Sequence, residues 1–311
     1  MRAGDLGTSG VRVTALGLGT AQLGDLYETV TQDRATAIVD AAWDAGIRYF
    51  DTAPHYGLGL AEKRLGLALH SRPREHYVLS SKVGRLIRPG SDGEPTRRWD
   101  FTEAGIRRSI EESLERMGLD RLDIALLHDP QERLTDALDD GLPALVRLRD
   151  EGVVDAIGVG TGDMAALTAF ATRDELDAIM IAGRYTLLEQ PALTEVIPAA
   201  RAAGISVLNA GVFNSGMLAQ DHPGPDARYE YAMAPPQLLA RARQLADHAA
   251  TAGTTLPRAA LAYAARDPLV ASVVVGADSA EQVVTTAHMA QDSRPLDGLW
   301  DALVALGLIP A

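Results

Sequence analysis

Eight short apolar runs, each too short for a stable helix and each followed by a stretch of helical length, constrain this chain more than any other feature. The runs cover residues 13–19, 48–52, 77–82, 122–128, 156–160, 178–182, 206–210 and 272–276. Between them lie amphipathic, alanine-rich patterns such as 34–44, 102–117, 135–149, 192–203 and 279–289. Several of these close on a glycine (Gly46, Gly118, Gly152, Gly204), the residue that best adopts the left-handed conformation ending a helix. Strands alternating with helices make parallel sheets covered by helices. Eight such units close most simply into a (β/α)8 TIM barrel, typically of about 250 residues; an open doubly wound sheet is the alternative. The 311 residues leave room in one domain, 1–311, for additions. One is a long loop rich in Gly, Pro and Asp after the seventh strand, 211–236. The other is a terminal helix, 295–308, whose Leu296, Leu299, Trp300, Leu303, Val304 and Leu306 are placed to cover one end of the barrel.

In a barrel the active site gathers at the carboxyl ends of the strands. Asp51, Lys82 and His128 stand there on the second, third and fourth runs, where neighbouring strands lie about 5 Å apart. Tyr56 follows Asp51 on a loop held by Pro54 and Gly57 and can swing back over them. Lysine usage singles out Lys82. Of 29 Lys and Arg residues only Lys63 and Lys82 are lysine, so the chain keeps an ammonium at a strand end where arginine is its ordinary cation. Lysine is a compact point charge, while arginine is a planar fork. A phenol with a pKa near 10 is a poor base at neutral pH, an adjacent ammonium favours its phenolate, and a buried carboxylate offsets the burial of that ammonium. His128 can orient the same substrate oxygen. Such a relay moves protons only; a change of oxidation state needs an electron carrier.

Composition removes other classes. A net charge of −13, with arginines scattered among acids, gives no footprint for nucleic acid or an anionic membrane. No cysteine is present, and the seven histidines show no paired ligand spacing, so neither thiolate chemistry nor a metal site is expected. No apolar run approaches the length of a membrane span and the N-terminus is not signal-like, which predicts a cytoplasmic protein. The oligomeric state is not readable.

The run Phe50-Asp51-Thr52-Ala53-Pro54-His55-Tyr56-Gly57, the helix opening Ala61-Glu62-Lys63-Arg64-Leu65-Gly66, then Lys82, and Leu122-Asp123-Ile124 leading to His128 resemble the aldo-keto reductases along essentially the whole chain. Arg98-Trp99-Asp100-Phe101, Arg108–Leu114, His128-Asp129-Pro130 and Ala182–Gln190 are similar to the subgroup of D-threo-aldose 1-dehydrogenases, which includes L-fucose and L-galactose dehydrogenases and has a pyridoxal 4-dehydrogenase among its relatives. The resemblance implies hydride transfer between nicotinamide C4 and a carbonyl or hemiacetal carbon, with Asp51, Tyr56, Lys82 and His128 as the catalytic tetrad. The expected substrate is a small sugar or aldehyde, most simply an aldose oxidised at its anomeric carbon. Pyridoxal, general aldehyde or ketone reduction, and a non-enzymatic nucleotide-binding role are the alternatives.

The resemblance also places NAD(P) along Gly19, Thr20 and Asp51, past Gly160 and Thr161, under the loop Gly211, Val212, Phe213 and Ser215, and at Gly276, Asp278, Ser279 and Gln282. Gly160-Thr161 replaces the family's Ser-Asn grip on the nicotinamide carboxamide, and Ala182 replaces its glutamine. Near Ala210 the stacking aromatic is missing, leaving Phe213 or Asn209. After strand eight there is no basic residue for a 2′-phosphate, and the carboxylate of Asp278 would repel one, which favours NAD over NADP; Asp278 can equally be a helix cap. Gln22, Tyr27, Tyr56, His128, Asp129 and Arg184 are the expected substrate contacts. For Asp129 ordinary turn chemistry, and for Arg184 a surface role, are the competing readings. Trp43 reads as helix packing.

Overall fold

The computed structural model describes residues 1–26, 28–91, 93–230 and 232–310; Tyr27, an expected substrate contact, lies outside the described residues. Eight parallel strands close into a barrel: β1 (Leu16–Gly19), β2 (Tyr49–Asp51), β3 (Val78–Val83), β4 (Ile124–His128), β5 (Ala156–Thr161), β6 (Ala178–Ala182), β7 (Ser206–Ala210) and β8 (Val270–Gly276). Each pairs with its sequence neighbours, and β8 pairs with β1. The (β/α)8 barrel is therefore the fold, and the open sheet is excluded.

Both faces of these strands are apolar because both are covered, the usual state of a parallel sheet. Phe50, Leu79, Ala125, Leu127, Val159, Ile179 and Val207 face the surrounding helices. Tyr49, Ile124, Leu126, Ala156, Met180, Leu208 and Val274 alternate with them and fill the interior. This period of two puts Tyr49 and Asp51 on the inner face of β2, and Ser80 and Lys82 on the inner face of β3. Gly17 makes room for the Tyr49 ring, since a Cβ there would stand 2.6 Å from its Cδ1.

The first expected strand, 13–19, breaks at Ala15. Its front part, Arg12–Thr14, pairs antiparallel with Ala3–Asp5 instead. Leu6, Val11 and Val13 of this hairpin join the interior cluster, and Ser206 at the start of β7 donates to Asp5 O at 3.1 Å, so the hairpin plugs the amino-terminal end. The terminal helix Asp297–Ala305 was expected to cover one end. It packs outside, with Trp300 edge-on to Tyr263 of the helix Leu256–Ala264 and Arg241 of Pro236–Thr251 donating to Leu308 O. The apolar stripe fits a helix face as well as a barrel end, and the hairpin already fills that end.

Two additions stand at the carboxyl-terminal mouth. After β3, Arg85–Pro89 pairs with Pro95–Trp99 in an antiparallel hairpin that the sequence did not announce. After β7, the long loop carries a short hairpin, Arg228–Tyr229 with Ala232–Met233, before two helices return to β8. The expected helix 135–149 contains a π-helical turn, Ala137–Gly141, and the expected 192–203 is α-helical only from Val196, after a 3-10 turn at Pro191–Leu193. Trp43 lies on the outer layer between Arg48 and Arg72, as helix packing. Among the described residues no helix is long and apolar enough to cross a membrane, and no cluster of His, Asp or Glu is placed to hold a metal.

Candidate active site

Three of the four expected catalytic side chains meet at the ends of adjacent strands. Register brings Asp51 opposite Ser80, and His128 opposite Gly160. Lys82 Nζ donates to Asp51 Oδ1 at 2.5 Å and to Thr52 O at 3.1 Å. Both charges are only 2% exposed, whereas the other lysine, Lys63, faces solvent. Burying a pair this deeply costs several kcal/mol per ion unless hydrogen bonds satisfy it, and here they do. Ser80 Oγ donates to the same Asp51 oxygen, and Tyr49 OH lies 3.0 Å from Ser80 Oγ. Burial, then the Asp51 charge, holds the Tyr49 phenol well above its usual pKa, so it stays protonated. The Thr20 hydroxyl and amide both bond Asp51 O, fixing the strand end that carries the carboxylate.

Above this pair, Lys82 Nζ is 5.8 Å from the centre of the Tyr56 ring. The Tyr56 ring meets His128 edge-on, with centroids 6.1 Å apart. The loop that brings Tyr56 back is seated against the loop after β1, where a Cβ on Gly57 would come within 2.5 Å of Gly24 O. His128 is buried, and desolvation followed by the charges of Lys82 and Arg85 keeps its pKa well below the ordinary value. It is a neutral imidazole at pH 7. His55 stands beside it, ring centroids 6.2 Å apart, its own pKa lowered to about 4 by burial, Arg85 and Arg97. The arrangement combines a phenol near a buried ammonium with a neutral ring that can donate or accept one hydrogen bond. That is proton-transfer machinery.

The residues expected on the nucleotide side stand around the rest of the mouth. Gly160 allows the strand to pass Lys82, its missing Cβ lying 3.3 Å from Lys82 Cε. Gly276 is crossed by the Gln22 side chain, whose Oε1 is buried without a partner; Asn214 Oδ1 is likewise unpartnered. Unmet acceptors and bare backbone around an open strand end fit a dinucleotide, which brings an amide and sugar hydroxyls. Phe213 is half-buried on the β7 loop and packs partly against the core, with Val212 buried next to Gly211. Asn209 is not available. It faces outward from β7 and donates to Tyr185 O and Ala264 O, because strand alternation gives the inward position to Ala210.

Six expected contacts are engaged within the protein. Arg184 donates to Gly162 O at 2.7 Å and to Tyr229 OH, and pairs with Glu230, so it clamps the β7 hairpin to the ends of β5 and β6 rather than pointing a free guanidinium at substrate. Ser215 Oγ accepts the Glu230 amide. Ser279 caps the helix Ala280–Gln291 by accepting the Gln282 amide, and Gln282 Oε1 accepts the Asp278 amide in return, a relative of the capping box. Thr161 accepts from the Asp163 amide and donates to Gln131 Oε1. Asp278 is not bare either, because Arg34 from the helix Gln32–Asp44 bonds both its carbonyl and, at 3.2 Å, its carboxylate.

Sequence reasoning missed Tyr49, Ser80, Arg34 and Arg85. Tyr49 and Ser80 were findable, since each stands two residues before a catalytic residue on the same strand face. Arg34 and Arg85 act across the chain, and nothing local marks them.

A barrel with a buried Asp-Lys pair, a phenol and a neutral imidazole at one mouth is the frame of an NAD(P)-dependent oxidoreductase. Comparison with known proteins makes the family explicit: residues 15–293 match the model of the aldo/keto reductase family, and the chain belongs to it. The chain is 47% identical to a D-threo-aldose 1-dehydrogenase from a Pseudomonas species, over 97% of this chain and 96% of that one. It is 36% identical to a pyridoxal 4-dehydrogenase of Microbacterium luteolum, over 98% and 97%. Among solved structures it superposes on the holo form of an aldo-keto reductase from Bacillus halodurans with a TM-score of 0.83 at 27% identity, covering 98% of this chain and 96% of that one.

Proposed function

We propose that this protein is an aldose 1-dehydrogenase, oxidising the anomeric carbon of a cyclic sugar to a lactone with NAD preferred over NADP. The observation that carries the mechanism is the placement of Lys82, buried between Asp51 and Thr52 O with its ammonium facing the Tyr56 ring. The ammonium favours the phenolate, so Tyr56 takes the proton of the anomeric hydroxyl. His128, neutral and adjacent, holds that oxygen in place. The C1–H electron pair leaves the substrate as the C=O bond forms, and the bound nicotinamide supplies the two-electron acceptor. The proton passes from Tyr56 to solvent, completing lactone, reduced nucleotide and H⁺. Similarity to a D-threo-aldose 1-dehydrogenase supports the aldose reading. The similarity to a pyridoxal 4-dehydrogenase favours a second reading, because pyridoxal also exists as a cyclic hemiacetal.

For the nucleotide, Gly19, Thr20, Asp51, Gly160, Thr161, Gly211, Val212, Phe213, Ser215, Gly276, Asp278, Ser279 and Gln282 remain the proposed lining. The preference for NAD rests on Asp278, whose carboxylate already occupies Arg34. A screen of NADH formation from L-fucose, L-galactose, D-arabinose and pyridoxal, with Tyr56→Phe as control, tests the whole reading. Wild type is expected to turn over an aldose fastest, and Tyr56→Phe to lose 10²–10⁴-fold, the range typical of lost general acid-base catalysis, while still binding NADH. Aldose turnover by Tyr56→Phe near the wild-type rate would sink the assignment.

A further inference from the structure

Arg85 lies next to the proposed tetrad, and beyond the charge by which it helps keep His128 and His55 neutral it makes contacts that this charge does not account for. It opens the hairpin after β3, yet it is only 7% exposed. Its guanidinium rests 4.2 Å above the Trp99 ring of the hairpin's other strand. Nη2 donates to Asp129 O at 2.8 Å, and Nη1 lies 3.5 Å from the Asp129 carboxylate. Its own carbonyl is 3.3 Å from His55 Nε2. One buried cation therefore joins the hairpin, the end of β4 and the loop carrying Tyr56.

The short bond goes to the Asp129 carbonyl, and the contact with the carboxylate is longer. This matters because Asp129 has φ 41° and ψ 58°, a left-handed conformation that few non-glycine residues adopt and that persists only where surroundings hold it. Two bonds hold it: Gly160 O accepts the Asp129 amide at 2.9 Å, and Arg85 donates to the Asp129 carbonyl. The strained backbone turns the carboxylate toward the mouth, where it is about one-third exposed and its Oδ2 stands 3.6 Å from His128 Nε2. Turn chemistry alone, the competing reading of Asp129-Pro130, does not need a buried guanidinium on the peptide. A ring nitrogen and a carboxylate oxygen at this spacing match two oxygens on neighbouring carbons. His128 meets the reacting oxygen, and Asp129, an acceptor, meets the hydroxyl beside it.

We propose that Arg85 is a positioning residue for substrate specificity: it aims Asp129 so that the carboxylate accepts a hydrogen bond from the hydroxyl on the carbon next to the one oxidised. The enzyme then requires an α-hydroxy hemiacetal or α-hydroxy aldehyde. This rests on the aldose reading for the natural substrate, while the recognition itself concerns any substrate with that hydroxyl. Burial pushes the Asp129 carboxyl up, against the opposing pull of Arg85, a Thr161 hydrogen bond, Lys82 and Arg97, so the acceptor is lost by protonation sooner than an ordinary carboxylate as pH falls.

Two pairs of substrates test it: an aldose against its 2-deoxy counterpart in oxidation, and glycolaldehyde against acetaldehyde in reduction. A hydrogen bond to a charged group is expected to favour the hydroxylated member by about 10- to 100-fold in kcat/KM. Asp129→Ala and Arg85→Met should each bring that ratio to within about threefold of unity, mainly through KM, and Arg85→Lys should restore part of it. Wild type treating the members of both pairs alike overturns the proposal. So does Arg85→Met keeping the wild-type ratio with an unchanged melting curve. Should Arg85→Met not fold, Asp129→Ala retaining the preference overturns it equally. Wild type active on glycolaldehyde but on no aldose would remove the aldose reading and leave this one standing.

Discussion

Around the mouth of the barrel, the ends of β2, β3 and β4 present their functional groups within regular strand geometry, whereas the ends of β5 to β8 hand theirs to loops and helix caps. On the first side Asp51, Ser80 and Lys82 occupy adjacent inward positions, nearly sealed from water, and each is bonded to the next. On the second side Asn214, Ser215 and Gly216 have positive φ, Ser279 is occupied as a cap, and Arg34 and Asp278 are each more than one-third exposed. Proton transfer tolerates little displacement of its groups, so a rigid lattice suits it. A dinucleotide must enter and leave, and contacts on loops can be made and released with it.

The largest expected effect breaks the rigid side. Lys82→Met leaves the Asp51 carboxylate buried without its cation, and removing one partner of a buried pair typically costs about 3–5 kcal/mol. Thermal melting should show a clear loss, and activity should fall with it because the phenol loses its neighbouring charge. Lys82→Met combined with Asp51→Asn should recover most of the stability and none of the activity. Stability that stays low in the double variant would mean that the pair is not what Lys82 supports.

The same contrast explains what could be read in advance. Seven of the eight strands fall within two residues of the expected bounds because both faces are apolar and the runs end in polar residues; the first extends too far only because Val13 and Thr14 look like strand and are, but in a different sheet. Asp51, Lys82 and His128 converge because strand register is set by period and order, which a sequence displays. The loop side depends on which distant residue folds over which end. Arg34 on Asp278 spans 244 positions, and Arg85 on Asp129 spans 44. Arginines are so frequent in this chain that neither stood out, while a rare lysine did.

A smaller effect concerns pH. His55, with its pKa near 4, and His128, held well below its ordinary value by burial and then by the charges of Lys82 and Arg85, are uncharged in the folded protein at pH 6. The unfolded chain binds protons on both near pH 6.5, so folding stability should be flat above that value and should decline as pH falls toward 4. Asp129, whose pKa is raised, binds its proton more readily when folded and opposes the decline in the acid part of that range. Melting temperatures of wild type and His55→Gln between pH 4 and 8 should diverge on the acid side, by roughly a few degrees, and run parallel above pH 7. Parallel curves throughout would show that His55 titrates normally and that the Arg85 and Arg97 charges do not reach it.

The smallest expected effect lies on the loop side, where contacts are exposed. Arg34 has Asp278 Oδ1 at 3.2 Å and Glu28 within 3.8 Å, so its charge is already matched by two carboxylates. An incoming 2′-phosphate would have to displace Asp278 to use it, whereas a ribose hydroxyl can bond the carboxylate as it stands. Asp278→Asn frees the guanidinium, and fluorescence titration should then show NADPH affinity rising by less than about tenfold, the scale of a single partly exposed ion pair. Arg34→Ala should leave NADH affinity nearly as it was and abolish the NADPH gain when combined with Asp278→Asn. If Asp278→Asn instead weakens NADH and leaves NADPH unchanged, the carboxylate is a ribose ligand and Arg34 only braces it. That outcome would make this corner of the mouth resemble the rigid side.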